Sequence, residues 1–270
     1  MNSGIDYFDS LPKMACGLGR LVMGHAFDQP VNERPTLLLV HGAFHGAWCY
    51  GLWLQELDRL GWPAASLDVR GHGGLHQTGE FHRFGVYDMA EDIRAVQKLV
   101  NRPIVLCGHS LGALMVGVAA EAMTLAGLVL LAPSPPGQLS GAKSIPRVPE
   151  DKAIMPPSLT TAGEKFFPQL DMETIAILVS RLVPESPVLL NDRFTLRVPV
   201  DNEKINAPAL CISSGLDDLE LHPPGQDEAV ATFYGGEYHH LPNASHCFMC
   251  DPDWGAGLEI ILNWLGGVDS

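Results

Sequence analysis

The chain has 270 residues, of which 46% are hydrophobic, and its formal net charge is −14. This length and composition predict a chain that buries a large core, as one α/β domain with an insertion. The acidic excess argues against nucleic acid and against stable association with an anionic membrane, since both attract Lys and Arg. We therefore expect a small molecule as the partner, and the composition leaves the oligomeric state open, with a homodimer as one candidate.

The beginning of the chain gives weak structural signals. Residues 1–17 are expected to form a poorly ordered or draped leader, and Leu18 to Phe27 to form a first antiparallel strand or half of a hairpin. The leader lacks a basic region followed by a sustained apolar stretch, and no segment approaches the about 18 apolar residues of a membrane span. We expect a cytoplasmic protein.

From residue 36 onward, short apolar runs alternate with helical patterns. The predicted strands are Thr36–Val40, Pro63–Val69, Pro103–Cys107, Leu125–Ala132, Pro208–Ser214 and Glu237–Leu241. The predicted helices are Trp53–Leu60, Asp88–Val100, Leu111–Glu121, Asp227–Tyr234 and Trp254–Leu265. This alternation predicts right-handed βαβ units in a mostly parallel central sheet with helices on both faces. Ligands of such sheets bind at the carboxyl ends of the strands.

Residues 137–206, which we call the cap segment, differ from the rest of the chain in composition and pattern. Prolines are frequent and helical runs such as Glu173 to Leu182 are short, which predicts a helical cap inserted into a core formed by residues 1–136 and 207–270. Its apolar residues favour the interior of the cap, with a pocket lining as the alternative. They are Phe166, Phe167, Ile175, Ile177, Leu178, Leu182 and Phe194.

The six cysteines are scattered, mostly within apolar runs, and we expect buried reduced thiols. Cys247 and Cys250 form a C-x-x-C, but a second pair that would complete a zinc site is missing. The sequence predicts neither a metal nor a cofactor.

Residues 108–112 read Gly-His-Ser-Leu-Gly, a G-x-S-x-G between a predicted strand and a predicted helix. In this context the pattern is typical of a nucleophile elbow, in which the glycines relieve crowding and the serine, here Ser110, stands at a helix N-terminus. The alternative is a tight turn whose serine only caps the helix.

The segments HGAFHGAW, DVRGHGG, GHSLGA, SSGLDD and ASHCF follow one another in order, and together they resemble the α/β-hydrolase family over Thr36 to Leu265. The resemblance implies the α/β-hydrolase fold, with Ser110 as nucleophile and His246 as general base. It places the triad acid in GLDD, at Asp218 by the family pattern, with the adjacent Asp217 as the alternative.

The same resemblance implies an oxyanion hole made of the backbone N–H groups of Leu111 and Ala43, with Phe44 as second choice for the latter. Phe44, His109, Phe166 and Leu178 are the candidates for contact with substrate.

The other histidines of the chain are weaker candidates. His41 and His45 are expected to hydrogen-bond to loop backbone, while His72 is a candidate for the pocket rim. His239 and His240 are neighbours in one strand and cannot both face one cleft.

HGAFHGAW also resembles the opening loop of the plant methylesterase and hydroxynitrile lyase branch and of bacterial hydrolases. In the lyases a threonine commonly stands at the position of Gly42 and a lysine at that of Cys247, so this chain keeps the esterase pattern. We expect a serine hydrolase of small to medium, largely apolar esters, lactones or thioesters, acting through an acyl-enzyme. The alternatives are a same-fold C–C hydrolase, cyclase or lyase, and a ligand receptor without catalysis.

Overall fold

An eight-stranded sheet organises the computed structural model, which describes residues 4–28 and 34–268. Its strands are β1 (Lys13–Cys16), β2 (Gly19–Met23), β3 (Thr36–Val40), β4 (Ala64–Asp68), β5 (Ile104–His109), β6 (Gly127–Leu131), β7 (Ala209–Ser214) and β8 (Glu237–Leu241). The order across the sheet is β1-β2-β4-β3-β5-β6-β7-β8. Only the β1–β2 and β2–β4 pairs are antiparallel. The predicted mostly parallel sheet is confirmed.

The helices of the described residues are α1 (Ile5–Ser10), α2 (Gly51–Arg59), α3 (Val86–Ala95), α4 (Leu111–Ala120), α5 (Leu159–Phe166), α6 (Met172–Val179), α7 (Pro187–Phe194), α8 (Gln226–Phe233) and α9 (Gly255–Val268). Short 3₁₀ helices precede α2, at Ala47–Tyr50, and follow α3, at Val96–Lys98. Helices α3, α4 and α8 pack on one face of the sheet, and α1, α2 and α9 pack on the other. Helices therefore cover both faces, as the sequence predicts.

The central strands are apolar throughout because both of their faces are buried. In β3, Leu37 and Leu39 join the hydrophobic cluster under α2 and α9, while Leu38 and Val40 join the cluster under α3 and α4. Successive side chains of a strand point to opposite faces, so a strand between two helical layers needs apolar residues at every position. The sheet thereby fixes the line of strand ends at which the site forms.

The N-terminal segment differs from the expected leader. Residues 5–10 form α1, whose Ile5 and Phe8 are buried, and β1 pairs with β2 as an edge hairpin. Tyr7 of α1 also hydrogen-bonds to Asp58 of α2. Of the two expectations for the leader, poorly ordered or draped, poor order is wrong for residues 4–16, because a few buried side chains are enough to hold so short an element on the core.

The cap segment runs between β6 and β7 and contributes α5, α6 and α7. Ser158, Asp171 and Ser186 cap these helices by accepting hydrogen bonds from backbone N–H groups. The segment follows the carboxyl end of β6, and α5 and α7 reach the cavity described below. The division of the chain into a core and a separate cap domain stays a prediction.

Within residues 4–28 and 34–268, no helix is both long enough and apolar enough to cross a membrane.

Candidate active site

Ser110 lies in the tight turn between β5 and α4. Its backbone has φ 54° and ψ −121°, a conformation that L residues rarely adopt. The turn is closed by glycines, since a Cβ on Gly112 would come 2.4 Å from the carbonyl oxygen of His41 and one on Gly108 would come 2.5 Å from the oxygen of Gly112. The strand, turn and helix expected of a nucleophile elbow are all present.

His246 lies in the loop after β8, and the carboxylate that faces it belongs to Asp217. The Nδ1 of His246 lies 2.8 Å from Oδ2 of Asp217. Asp218 points away, because its Oδ2 accepts from Nζ of Lys165 at 2.8 Å and its Oδ1 accepts from the N–H of Glu220. The prediction of Asp218 as the partner of the histidine is therefore wrong, and the adjacent Asp217 takes its place.

The turn after β7 explains which aspartate faces inward. Gly215 lies against Pro242, where a Cβ would come 2.2 Å from the carbonyl oxygen, and the N–H of Leu216 donates to Ala244 at 3.0 Å. Held in this way, the turn directs Asp217 inward, where Ser214 Oγ donates to it at 2.9 Å. The side chain of Asp217 is 4% exposed and that of Asp218 is 22% exposed.

The Asp217 contact defines the state of the imidazole. Burial alone would raise the pKa of Asp217, but the charge and hydrogen bond of His246, together with His222 nearby, lower the pKa well below its usual range. An ionised carboxylate only accepts hydrogen bonds, so Nδ1 of His246 carries a proton and donates a hydrogen bond to Asp217. In the neutral ring, Nε2 is then a free proton acceptor.

Ser110 and His246 line one cavity of about 100 Å³ at the carboxyl ends of the strands. The predicted contact residues Phe44, His109 and Phe166 line it as well. The full lining consists of Gly42, Ala43, Phe44, His45, His109, Ser110, Leu111, Ser134, Phe166, Leu190, Arg193, Phe194, Leu221, His222 and His246.

Backbone N–H groups border the serine on two sides. Leu111 is the first residue of α4, so its N–H has no acceptor within the helix. Ala43 belongs to the loop after β3, whereas the N–H of the next residue, Phe44, donates to Oε2 of Glu185 at 2.9 Å. This contact occupies Phe44 and favours Ala43 as the second oxyanion donor.

Leu178, the fourth predicted contact residue, does not line the cavity. It is 1% exposed and packs in a hydrophobic cluster with Ile175 and Phe167. The prediction that Leu178 contacts substrate is wrong, because the inner face of α6 packs into the core. Phe194, by contrast, reaches the cavity wall from the end of α7.

Three histidines of the site hold backbone in place. Nδ1 of His41 donates to the oxygen of Gly42 at 2.8 Å, and Nδ1 of His45 donates to that of Ala43 at 2.7 Å, as expected from the sequence. Nε2 of His109 donates to the carbonyl oxygen of His246 at 2.9 Å and thereby fixes the main chain of that residue. Burial lowers the pKa of His45 to about 4 and that of His109 well below its usual value, so both rings stay neutral.

His72 is fully buried and does not border the cavity, contrary to expectation. Its Nε2 lies 2.9 Å from Oε2 of Glu185, the same oxygen that accepts from Phe44. Burial lowers the pKa of His72, but the charge and hydrogen bond of Glu185 outweigh it, and the pKa is raised overall. The pair joins the cap segment to the loops after β3 and β4.

His222, Ser134 and Arg193 also line the cavity, although sequence reasoning did not single them out. His222 lies 3.1 Å from Asp227 and 3.8 Å from Asp217. His222 follows the GLDD segment in the loop after β7, and this position is a signal that the sequence offers. Nothing in the sequence marks Arg193 of the cap segment.

One group of residues in the described ranges has the composition of a metal site. The ligand atoms of Asp217, His222 and His246 lie within 4.8 Å of one another. Asp217 and His246 are already hydrogen-bonded to each other, and His222 is paired with Asp227. The arrangement is that of a hydrogen-bonded network, and a metal would have to break these pairs.

The sequence profile of the alpha/beta hydrolase family matches residues 37–256, which include the serine, the aspartate and the histidine of this site. The chain belongs to the alpha/beta hydrolase family. The protein is a hydrolase, and its esterase-like motifs agree with its relatives.

Two curated relatives are esterase-type proteins of plants. Pheophorbidase from Raphanus sativus is 28% identical over 233 residues, covering 77% of this chain and 86% of the relative. Esterase PIR7B from Oryza sativa subsp. japonica is 31% identical over 94 residues, which span 33% of this chain and only 34% of that esterase.

The solved structure of the methylesterase MES16 from Arabidopsis has the same fold. It superposes with a TM-score of 0.68 at 18% identity, covering 86% of this chain and 99% of the methylesterase.

Proposed function

We propose that this hydrolase cleaves small carboxylic esters, or related lactones or thioesters, through an acyl-enzyme. The observation that carries the proposal is the 2.8 Å contact between Asp217 and His246, in a loop that faces the strained Ser110 across one cavity. A serine hydroxyl needs a neighbouring base, an orienting carboxylate and oxyanion donors to act as a nucleophile at neutral pH. These groups converge here.

In the first step, Ser110 Oγ attacks the carbonyl carbon of the ester and its proton passes to Nε2 of His246. Asp217 stabilises the imidazolium that forms, because its carboxylate accepts from Nδ1. The developing oxyanion accepts hydrogen bonds from the N–H groups of Leu111 and Ala43. The imidazolium then gives its proton to the leaving alkoxide, which departs as the alcohol.

In the second step, water attacks the acyl-enzyme. His246 takes a proton from this water, and the oxyanion forms again in the same place. Collapse of the intermediate breaks the bond to Ser110 Oγ and releases the carboxylic acid, while His246 returns the proton to the serine. Each proton that leaves a nucleophile therefore passes through the same nitrogen.

The shape of the cavity supports a small substrate. A volume of about 100 Å³ matches one small organic group, and most of its wall is aromatic or aliphatic. Phe44, Phe166, Leu190 and Phe194 supply much of this apolar surface. The names of the relatives, an esterase and a methylesterase, favour esters over the other acyl compounds.

The test is hydrolysis of 4-nitrophenyl esters of graded acyl length in water enriched in oxygen-18. We expect turnover with one heavy oxygen in the acid product, and loss of kcat by a factor on the order of 10⁴ or more in Ser110→Ala. Ser180→Ala makes the same chemical change at an exposed position on the cap segment and should leave the rate unchanged. A folded protein that hydrolyses none of these esters, or an acid product without the label, would contradict the proposal.

A further inference from the structure

A cationic side chain lies in the wall of the cavity that holds Ser110. Arg193, near the end of α7, lines this cavity and is 4% exposed. Among the described residues that line the cavity, Arg193 alone carries a permanent charge, and none is Asp or Glu. The cavity wall therefore carries one positive charge, inside a chain whose formal net charge is −14.

The guanidinium of Arg193 contacts only neutral acceptors. Nη1 donates to the carbonyl oxygen of Lys143 at 3.0 Å, and Nη2 donates to that of Leu221 at 2.8 Å. Within the described chain, no carboxylate lies at ion-pair distance from it. Asp227 is near enough for its negative charge to raise the pKa of Arg193. The carboxylate of Asp227 is nevertheless paired with another residue, since its Oδ1 lies 3.1 Å from Nδ1 of His222.

A buried charge without a charged partner is costly unless something else compensates for it. Burial lowers the pKa of Arg193 to about 10, with Asp227 opposing the shift, so the side chain remains protonated at neutral pH. The two carbonyl contacts leave other N–H groups of the planar guanidinium without an acceptor. The N–H groups of a guanidinium form a planar fork that matches the two oxygens of a carboxylate. The cavity is where such a partner fits.

We propose that Arg193 binds a carboxylate carried by the substrate, so that the enzyme prefers esters with a second, ionised acid group. The inference rests on the proposed ester hydrolysis and narrows its substrate class, from small carboxylic esters in general to those with one apolar and one anionic end. Phe44, Phe166 and Leu190 contact the apolar part. The carboxylate belongs either to the acyl group or to the alcohol, and the two cases need separate substrates.

The experiment compares substrate pairs in which a carboxylate is exchanged for the uncharged carboxamide of nearly the same shape. For the acyl side, the pair is 4-nitrophenyl hydrogen adipate and the matching 4-nitrophenyl adipamate. For the alcohol side, the pair is 4-(butanoyloxy)benzoate and 4-(butanoyloxy)benzamide. We expect kcat/KM for the carboxylate to exceed that for the amide by about tenfold or more in one pair, since charge-assisted hydrogen bonds are the stronger ones.

Variants assign this preference to the guanidinium. In Arg193→Gln the ratio of carboxylate to amide should fall to about one, and in Arg193→Lys it should lie in between, because the charge remains but the planar fork is lost. Arg197→Gln removes an arginine of the cap segment that pairs with Glu150 and Asp192 outside the cavity, and it should keep the wild-type ratio. If Arg193→Gln fails to fold by circular dichroism, the wild-type ratio and Arg193→Lys still decide.

A binding measurement separates this inference from the proposed hydrolysis. Calorimetry on Ser110→Ala compares monomethyl adipate with methyl adipamate, and 4-(butanoyloxy)benzoate with its benzamide. Tighter binding of a carboxylate, lost in the Ser110→Ala, Arg193→Gln double variant, supports the anion site even if no ester is turned over. Ester turnover without a carboxylate preference in either pair, or a preference that survives in Arg193→Gln, overturns the anion site and leaves the hydrolase intact.

Discussion

Two adjacent carboxylates of the loop after β7 have opposite environments. Asp217 is buried and bound to His246 and Ser214, while Asp218 reaches outward to Lys165. The His246 contact lowers the pKa of Asp217 in spite of its burial, so the negative charge is held where the imidazole needs it. The first carboxylate thus orients His246, and the second forms an ion pair with Lys165 of α5.

Exchange of each carboxylate for its amide separates these roles. Asp217→Asn should lower kcat/KM by about 10³- to 10⁴-fold, because the neutral amide lacks the charge that stabilises the imidazolium and its NH2 group can donate to Nδ1, which favours the wrong tautomer. Asp218→Asn removes a half-exposed ion pair with Lys165 and should change kcat/KM by less than about threefold. Steady-state kinetics on a 4-nitrophenyl ester measures both. A larger loss in Asp218→Asn than in Asp217→Asn would contradict the assignment.

The sequence could not show which of these two aspartates faces His246. A pattern of glycine and aspartates marks the loop, but the direction of each side chain depends on the contacts of Gly215 and Leu216 with the loop after β8. Those contacts join residues far apart in the chain. Ser110 and His246 were accessible to sequence reasoning because each stands in a motif directly after a strand.

At the scale of elements, Glu185 links the cap segment to the core. One of its oxygens accepts from Phe44 in the loop after β3 and lies 2.9 Å from His72 in the loop after β4. Its other oxygen accepts from the N–H of Ser186 at the start of α7. This buried carboxylate therefore joins the start of α7, the helix that carries Arg193, to the loops after β3 and β4.

This link predicts a pH-dependent stability. The pKa of His72 is raised in the folded protein, so the stabilisation that it gains from Glu185 is fully present below its unfolded pKa near 6.5 and is lost as the pH rises through the folded pKa. Glu185→Gln should lower the free energy of unfolding by roughly 3 kcal/mol at pH 6 and by less at pH 9.

Urea unfolding of the wild-type protein and of Glu185→Gln, at pH 6 and at pH 9, measures this loss of stability. Glu164→Gln changes an exposed glutamate of α5 and should leave the stability within about 0.5 kcal/mol of wild type at either pH. A loss of stability in Glu185→Gln that is the same at both pH values, or larger at pH 9, would show that His72 is not held in its protonated form by Glu185.

Prediction of elements from the sequence succeeded where burial on both faces leaves a clear pattern. The strands β3 and β5 are continuous apolar runs, and each was predicted within a residue or two. The short elements α1 and β1 were missed, since three of the four residues of β1 are exposed and little apolar signal remains. In the cap segment, helical runs were visible but their packing was not, which is why Leu178 was assigned to the cavity.

At the scale of the whole molecule, the site is a meeting of distant segments. The loops after β3, β5, β7 and β8 bring Ala43, Ser110, Asp217 and His246 to one edge of the sheet, as the carboxyl ends of parallel strands do. Motifs at strand ends predict that half of the site. The other half comes from α5 and α7 of the cap segment, and it depends on tertiary contacts that leave no pattern in the sequence.

The central claim is that Ser110 is a nucleophile activated by His246, and covalent labelling tests it most directly. We expect a fluorophosphonate to add one equivalent to the intact protein, with the mass increase on the peptide that holds Ser110. His246→Ala should slow this labelling strongly, because the serine then lacks its base. A folded protein that stays unlabelled, or that carries the label on another residue, would contradict the account.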